Sequence, residues 1–222
     1  MTPPRSLILT SFTQQPAECL NLLADHLWQI GVTVNGVNAE NRLANQFAYL
    51  WCERAALHSV LNLRERVYRL DKVTAMISDG GFMRPAASVE TVTLQQWACA
   101  FHREAIGIND DKRMQKLVAK KIEEGDLYIW MKAEKITAMA AKTRETVYGA
   151  VVGLVYTPHE LRGKGYASQL VTALSSTLLG RGFRFCALFT DADNPISNSI
   201  YQKIGYYPLC DMQEYLFKKD TQ

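Results

Sequence analysis

The chain has 222 residues, is 48% hydrophobic and carries a formal charge of +3. That is enough apolar material to bury a proper core, which excludes general disorder. Seven Lys/Arg balance seven Asp/Glu up to Gly80 and 18 face 15 after it, a surplus far short of the dense basic stripe of a nucleic-acid binder.

In chain order, Met1 to Thr10 holds one Arg and a short apolar run, poor material for a secretory signal, and no stretch of about 18 apolar residues follows. The expectation is a cytoplasmic protein with neither a membrane nor a nucleic acid as partner. Leu20, Leu23, Leu27 and Ile30 recur at helical spacing behind Pro16, predicting a helix over Gln15 to Ile30. Leu43, Phe47, Leu50, Trp51 and Ala55 predict a second over Ala39 to Leu57, and Val60 to Leu70 reads as a charged strand. Asp79-Gly80-Gly81 then punctuates the chain, so residues 1–80 are taken as a mainly helical, partly α/β region and 81–222 as the principal domain.

After that boundary Phe82 to Ala87 is extended. Val92 to Gly107, with Leu94, Trp97, Ala98, Phe101 and Ala105 on one face, is an amphipathic helix capped by Thr91 or Thr93. Asp111 to Glu124 is a helix ended by Gly125. Strands are expected at Leu127 to Lys132, Lys135 to Lys142 and Thr146 to Tyr156, with connections so short that the three must be antiparallel neighbours. A helix from about Gly165 to Leu179, a strand at Arg184 to Thr190, a helix at Ile196 to Ile204 and a strand near Met212 to Phe217 complete the chain. Cys19, Cys52, Cys99, Cys186 and Cys210 form no C-x-x-C pair and read as buried free thiols, with no metal site.

The stretch "TPHELRGKGYAS", Thr157 to Ser168, joins an apolar strand to a helix. Gly149 and Gly153 interrupt that strand, where a bulge or a close ligand approach is expected. The first amides of the following helix have no partner within it, and the helix end carries roughly half a positive charge. Gly163 and Gly165 leave those amides accessible, while Arg162 and Lys164 add mobile positive charge, so a phosphate is the natural occupant. Charge-assisted hydrogen bonds of about 1.5 to 3 kcal/mol each would, taken several together, supply most of a micromolar affinity. A dinucleotide fold fits less well. Ser168 stands where that fingerprint wants Gly or Ala, three closely joined strands precede the loop, and 54 residues remain after it. No G-K-[ST] occurs, so the loop is not a Walker loop.

Arg162-Gly163-Lys164-Gly165-Tyr166-Ala167 resembles the R/Q-x-x-G-x-G/A signature of GNAT-superfamily N-acetyltransferases. Asn194-Pro195-Ile196-Ser197-Asn198-Ser199-Ile200-Tyr201-Gln202-Lys203-Ile204-Gly205-Tyr206 resembles their N-x-x-A-x-x-L-Y-x-x-x-G-F, with Ser197 for Ala and Tyr206 for Phe. The resemblance covers about Phe82 to Lys218 and is similar to a group of bacterial members with an extra N-terminal region. It implies an α/β fold of the α+β type, with a mixed, mostly antiparallel sheet flanked by helices and a mainly helical N-terminal extension. It also implies acetyl-CoA as cosubstrate, no metal, and direct acetyl transfer to a primary amine of a small molecule or peptide, with a homodimer left open. By resemblance, the amides of Gly163, Lys164, Gly165, Tyr166, Ala167 and Ser168, with Arg162, hold the pyrophosphate. Leu154, Val155 and Tyr156 pair with the pantetheine arm, Gly153 fits the bulge, Asn194 touches the arm, and Tyr201 stands beside the thioester sulfur.

A phenol of pKa about 10 gives its proton to a thiolate of about 8.5 only uphill, by about 2 kcal/mol, so Tyr201 is expected to hydrogen-bond the departing sulfur. The amine must be neutral, at a cost of about 4 to 5 kcal/mol for a lysine-like amine and about 1 for an α-amino group. Glu104 is the candidate base, with Glu134, Asp191, Asp193 and Glu214 as further carboxylates; His102 and His159 are read as pointing away from the core or lying on the surface. A different class of function stays open: a module that keeps the CoA cradle as a sensor or scaffold.

Overall fold

The computed structural model describes residues 6–12, 16–74, 80–107 and 110–219. In chain order these form β1 (Leu7–Ile8), α1 (Pro16–Gln29), β2 (Gly36–Glu40), α2 (Asn41–Ala55), β3 (His58–Leu70), β4 (Phe82–Pro85), α3 (Thr91–Ile106), α4 (Asp111–Glu123), β5 (Leu127–Lys132), β6 (Lys135–Glu145), β7 (Gly149–Tyr156), α5 (Tyr166–Gly180), β8 (Phe185–Asp191), α6 (Pro195–Ile204) and β9 (Tyr207–Lys218). Nine strands, mostly antiparallel, and six helices make the mixed α/β class expected. The chain divides into two compact units, Met1–Val67 with Asp191–Asp193 and Leu209–Gln222, and Tyr68–Thr190 with Asn194–Pro208. Asp79 of the expected boundary lies outside the described residues, and the units part within β3.

In the first unit β1 runs parallel to β2, and β2 pairs antiparallel with β9, setting Val37 opposite Tyr215. Leu43, Phe47 and Trp51 recur every four residues on α2 and are buried with Leu20 and Ala24 of α1. Ala56 ends α2 in the left-handed region at φ 50°, returning its N–H to the Cys52 carbonyl. The second helix was expected to begin at Ala39, but Gly36–Glu40 is a strand. A Cβ on Gly36 would lie 2.3 Å from the Tyr215 carbonyl oxygen, so only glycine lets β9 come this close.

In the second unit the strand order is β8-β7-β6-β5-β4, parallel between β7 and β8 and antiparallel elsewhere. Strand alternation sorts its side chains into two cores. Tyr128, Trp130, Ala138, Ala140, Ala150 and Val152 pack with α5, while Leu127, Ile129, Met139 and Ala141 pack with α3 and α4. The third strand of the run begins at Gly149 and not Thr146, because Thr146 Oγ1 accepts the Gly149 N–H at 3.0 Å and closes a turn. Neither Thr91 nor Thr93 caps α3 as expected. Thr91 is already helical and donates to the Ser88 carbonyl, while Glu90 receives the Ala87 N–H at 2.7 Å. His102, expected to face away, is only 7% exposed. All five cysteines are free, but Cys19 is exposed and Cys52 and Cys210 half-buried, leaving Cys99 and Cys186 as the buried pair.

Candidate active site

The site grows from one irregularity in β7. Met139 and Ala141 of β6 face Tyr156 and Gly153, so two steps on β6 are matched by three on β7. The extra residue is Leu154, held at φ 51°. The bulge thus sits one residue beyond the expected Gly153, whose own task differs: a Cβ there would lie 2.9 Å from the Thr143 methyl. Crossing the bulge flips the side-chain phase. Val152 lies in the α5 core, but Leu154 and Tyr156, which in a regular strand would share its face, lie in the α3/α4 core.

The flip brings three of the expected site residues together. The Tyr156 hydroxyl donates to Glu104 Oε1 at 3.1 Å, and Arg162 Nη2 meets Glu104 Oε2 at 2.5 Å. Arg162 Nε donates to the Thr157 carbonyl at 2.9 Å, its guanidinium lies 5.5 Å from the Tyr156 ring centre, and Trp97 flanks that ring at 6.2 Å. Burial first, then the Glu104 charge and hydrogen bond, raise the Tyr156 pKa; the Glu104 hydrogen bond raises that of Arg162. Arg162, expected as mobile charge, is therefore held in an ion pair.

The paired register between the parallel strands β7 and β8 runs from Gly149 with Phe185 to Val152 with Leu188. The pairing ends at Val152, so along Leu154–Tyr156 that edge of β7 has no strand partner among the described residues. The chain next turns through Gly163 at φ 77° and Gly165 at φ 79° into α5. Among the described residues, an added Cβ at either glycine would meet nothing within 4 Å, so both look onto open space, and no side chain caps the helix. The Gln169 N–H reaches the Gly165 carbonyl at 3.0 Å. The amides of Tyr166, Ala167 and Ser168 precede the first full turn and have no intrahelical acceptor. Lys164 is exposed and makes no ion pair among the described residues.

Tyr201 stands on α6, half-buried, with Tyr68 at 6.3 Å and Tyr206 edge-on at 6.1 Å. Burial pushes its pKa up to about 12. Its hydroxyl makes no hydrogen bond among the described residues, whereas the Tyr206 hydroxyl is tied to Ser175 Oγ at 2.8 Å. Asn194 caps α6, its Oδ1 accepting the Ser197 N–H at 3.1 Å. Of the other carboxylates, Asp191 accepts the Asp193 N–H, Asp193 lies 3.7 Å from Arg64, and Glu214 is bonded to Ser6 and Asn62. Glu134 is exposed in the β5–β6 turn at φ 63°. Sequence reading missed Tyr68, Ser175 and the Thr157 carbonyl, which no motif marks. Among the described residues no group of acids, histidines and cysteines could hold a metal ion, and no helix is long and apolar enough to cross a membrane.

An open strand edge beside a glycine-flanked helix start, in a mixed sheet of this order, defines a class: the fold is that of the GNAT acetyltransferases. Residues 129–216 match the model of the FR47-like protein family. The structure is similar to a GNAT-family acetyltransferase from Colwellia psychrerythraea, with a TM-score of 0.64 and 16% identity over 94% of this chain and 74% of that one. It is also similar to a GCN5-related N-acetyltransferase from Kribbella flavida, with a TM-score of 0.58 and 18% identity over 97% and 79% of the two chains. A search of curated protein sequences finds no match.

Proposed function

We propose that this chain is an N-acetyltransferase that moves acetyl from acetyl-CoA directly to a primary amine. The observation that carries the reading is the adjacency of two features on one strand–loop–helix: the β7 edge opens after Val152, and α5 begins uncapped behind two left-handed glycines. The first suits an extended amide-bearing arm, and the second suits a diphosphate, since backbone amides there need an acceptor and no Cβ stands in the way. Gly163 to Ser168 would hold the diphosphate with Lys164, while Leu154 to Tyr156 would pair with the arm.

In the transfer, the amine nitrogen bonds to the carbonyl carbon, the carbon–sulfur bond breaks, and the proton lost by nitrogen passes to solvent. Tyr201 faces the sulfur in this reading. Against a thiol near 8.5, a phenol at about 12 would be uphill as a proton donor by about 5 kcal/mol, so it hydrogen-bonds the leaving thiolate and keeps its proton. The test is thioester consumption with a panel of small and peptidyl amines. Turnover with at least one amine is expected; tight CoA binding with no turnover on any of them supports instead a CoA-binding sensor or scaffold.

A further inference from the structure

The segment from His159 to Gly165 has little of its own to hold it. Residues 162–165 are exposed, the two glycines touch nothing an added Cβ would meet, and the local backbone bonds, Leu161 N–H to Pro158 and Arg162 N–H to His159, only shape a single turn. Glycine-rich backbone loses much conformational freedom when it is ordered, so a loop like this is costly to fix unless something else fixes it. Among the described residues, Arg162 supplies the side-chain hydrogen bonds that tie this segment down: to Glu104 at 2.5 Å and to the Thr157 carbonyl at 2.9 Å. Glu104 in turn uses its second oxygen on the Tyr156 hydroxyl. One carboxylate on α3 therefore grips both ends of the passage from β7 to the loop.

We infer that Glu104 is a positioning residue for the anion-binding loop, its ion pair with Arg162 setting the aim of the amides of Gly163 to Ser168 before any ligand arrives. The inference rests on the acyl-CoA reading for the identity of the anion. It also assigns the charges: Glu104 neutralises Arg162, leaving Lys164 and the backbone amides to face the diphosphate. Ordering the loop in advance removes that cost from binding, so the latch acts on affinity for CoA.

The experiment compares wild type with Glu104→Ala, Glu104→Gln, Arg162→Ala and the double alanine variant. Amide hydrogen exchange at Leu161, Arg162 and Gln169 is measured without ligand, CoA affinity by calorimetry, and kcat against pH. Each single alanine variant is expected to speed exchange at these amides and to weaken CoA binding by about threefold to tenfold. Glu104→Gln should fall between, and the double variant should lose less than the two single losses added together, because both singles remove the shared ion pair. The pH profile of kcat should keep its wild-type shape. Unchanged exchange and affinity in Glu104→Ala overturn the latch, as does a Glu104→Gln variant that binds CoA normally but loses a limb of the kcat profile, the behaviour of a base. If wild type itself fails to bind CoA, the acyl-CoA reading falls, and the exchange measurement still decides whether Glu104 holds the loop.

Discussion

Tyr201 and Glu104 show how differently two single residues can be read. Tyr201 is recognisable from its place in Asn194 to Tyr206, and the structure adds what surrounds it: Tyr68 and Tyr206 wall the ring while the hydroxyl stays available. If it donates to charge that appears only as the sulfur leaves, Tyr201→Phe should lower kcat by about a hundredfold to a thousandfold while leaving CoA affinity within about twofold. Steady-state kinetics with calorimetry separate the two effects, and an equal loss in both would make Tyr201 a mere packing residue. Glu104 could be named from the sequence as a carboxylate near the site, but its partners could not. Alternation along β7 puts Tyr156 on the same face as Val152; Gly153 marks a bulge in the letters, but not that Leu154 is the extra residue or that Tyr156 thereby turns to the other core.

At the scale of elements, that reversal lies beside a second irregularity. Between Lys142 and Arg144 the β6 strand carries its own extra residue, Thr143, which donates to the Val151 carbonyl at 3.1 Å. Its methyl occupies the space above Gly153. Gly153→Ala should therefore destabilise the protein by about 1 to 3 kcal/mol, and adding Thr143→Ala should recover part of the loss, a non-additive pair visible in denaturant midpoints. Simple additivity would mean that the two positions do not share this space. The turn after α6 offers a second test. Gly205 sits at φ 111°, and an added Cβ would lie 3.0 Å from the Lys72 carbonyl oxygen, so Gly205→Ala should cost about 1 to 3 kcal/mol in stability. Most elements could be located from periodicity and turn residues, including the hairpin order of β5, β6 and β7. The short β2 could not, because its signal is Gly36 yielding to the Tyr215 carbonyl, a partner far away in the chain.

At the scale of the molecule, the division into units also escaped the sequence. The segment Leu209–Gln222 returns to the first unit, and no composition change near Gly80 reports a pairing between β2 and β9. Three weak acids withdrawn from water, fully or in part, make a prediction about the whole fold. Burial pushes Cys186 up to about 11 and Tyr201 up to about 12, and raises Tyr206 further. Each is raised above its unfolded value, so its contribution is fully present below that value and is lost as pH climbs through the folded one. Stability against urea should hold steady through neutral pH and fall between about pH 9 and 12, with tyrosine ionisation following unfolding; a flat profile across that window would contradict the burial of these groups. The central claim is that Gly163 to Ser168 and the start of α5 receive the diphosphate of coenzyme A. Calorimetric titration of CoA into wild type and Gly165→Asp tests it most directly. The account predicts micromolar binding by wild type and none by the variant, whose carboxylate would face the phosphates; equal affinity in the two proteins would contradict it.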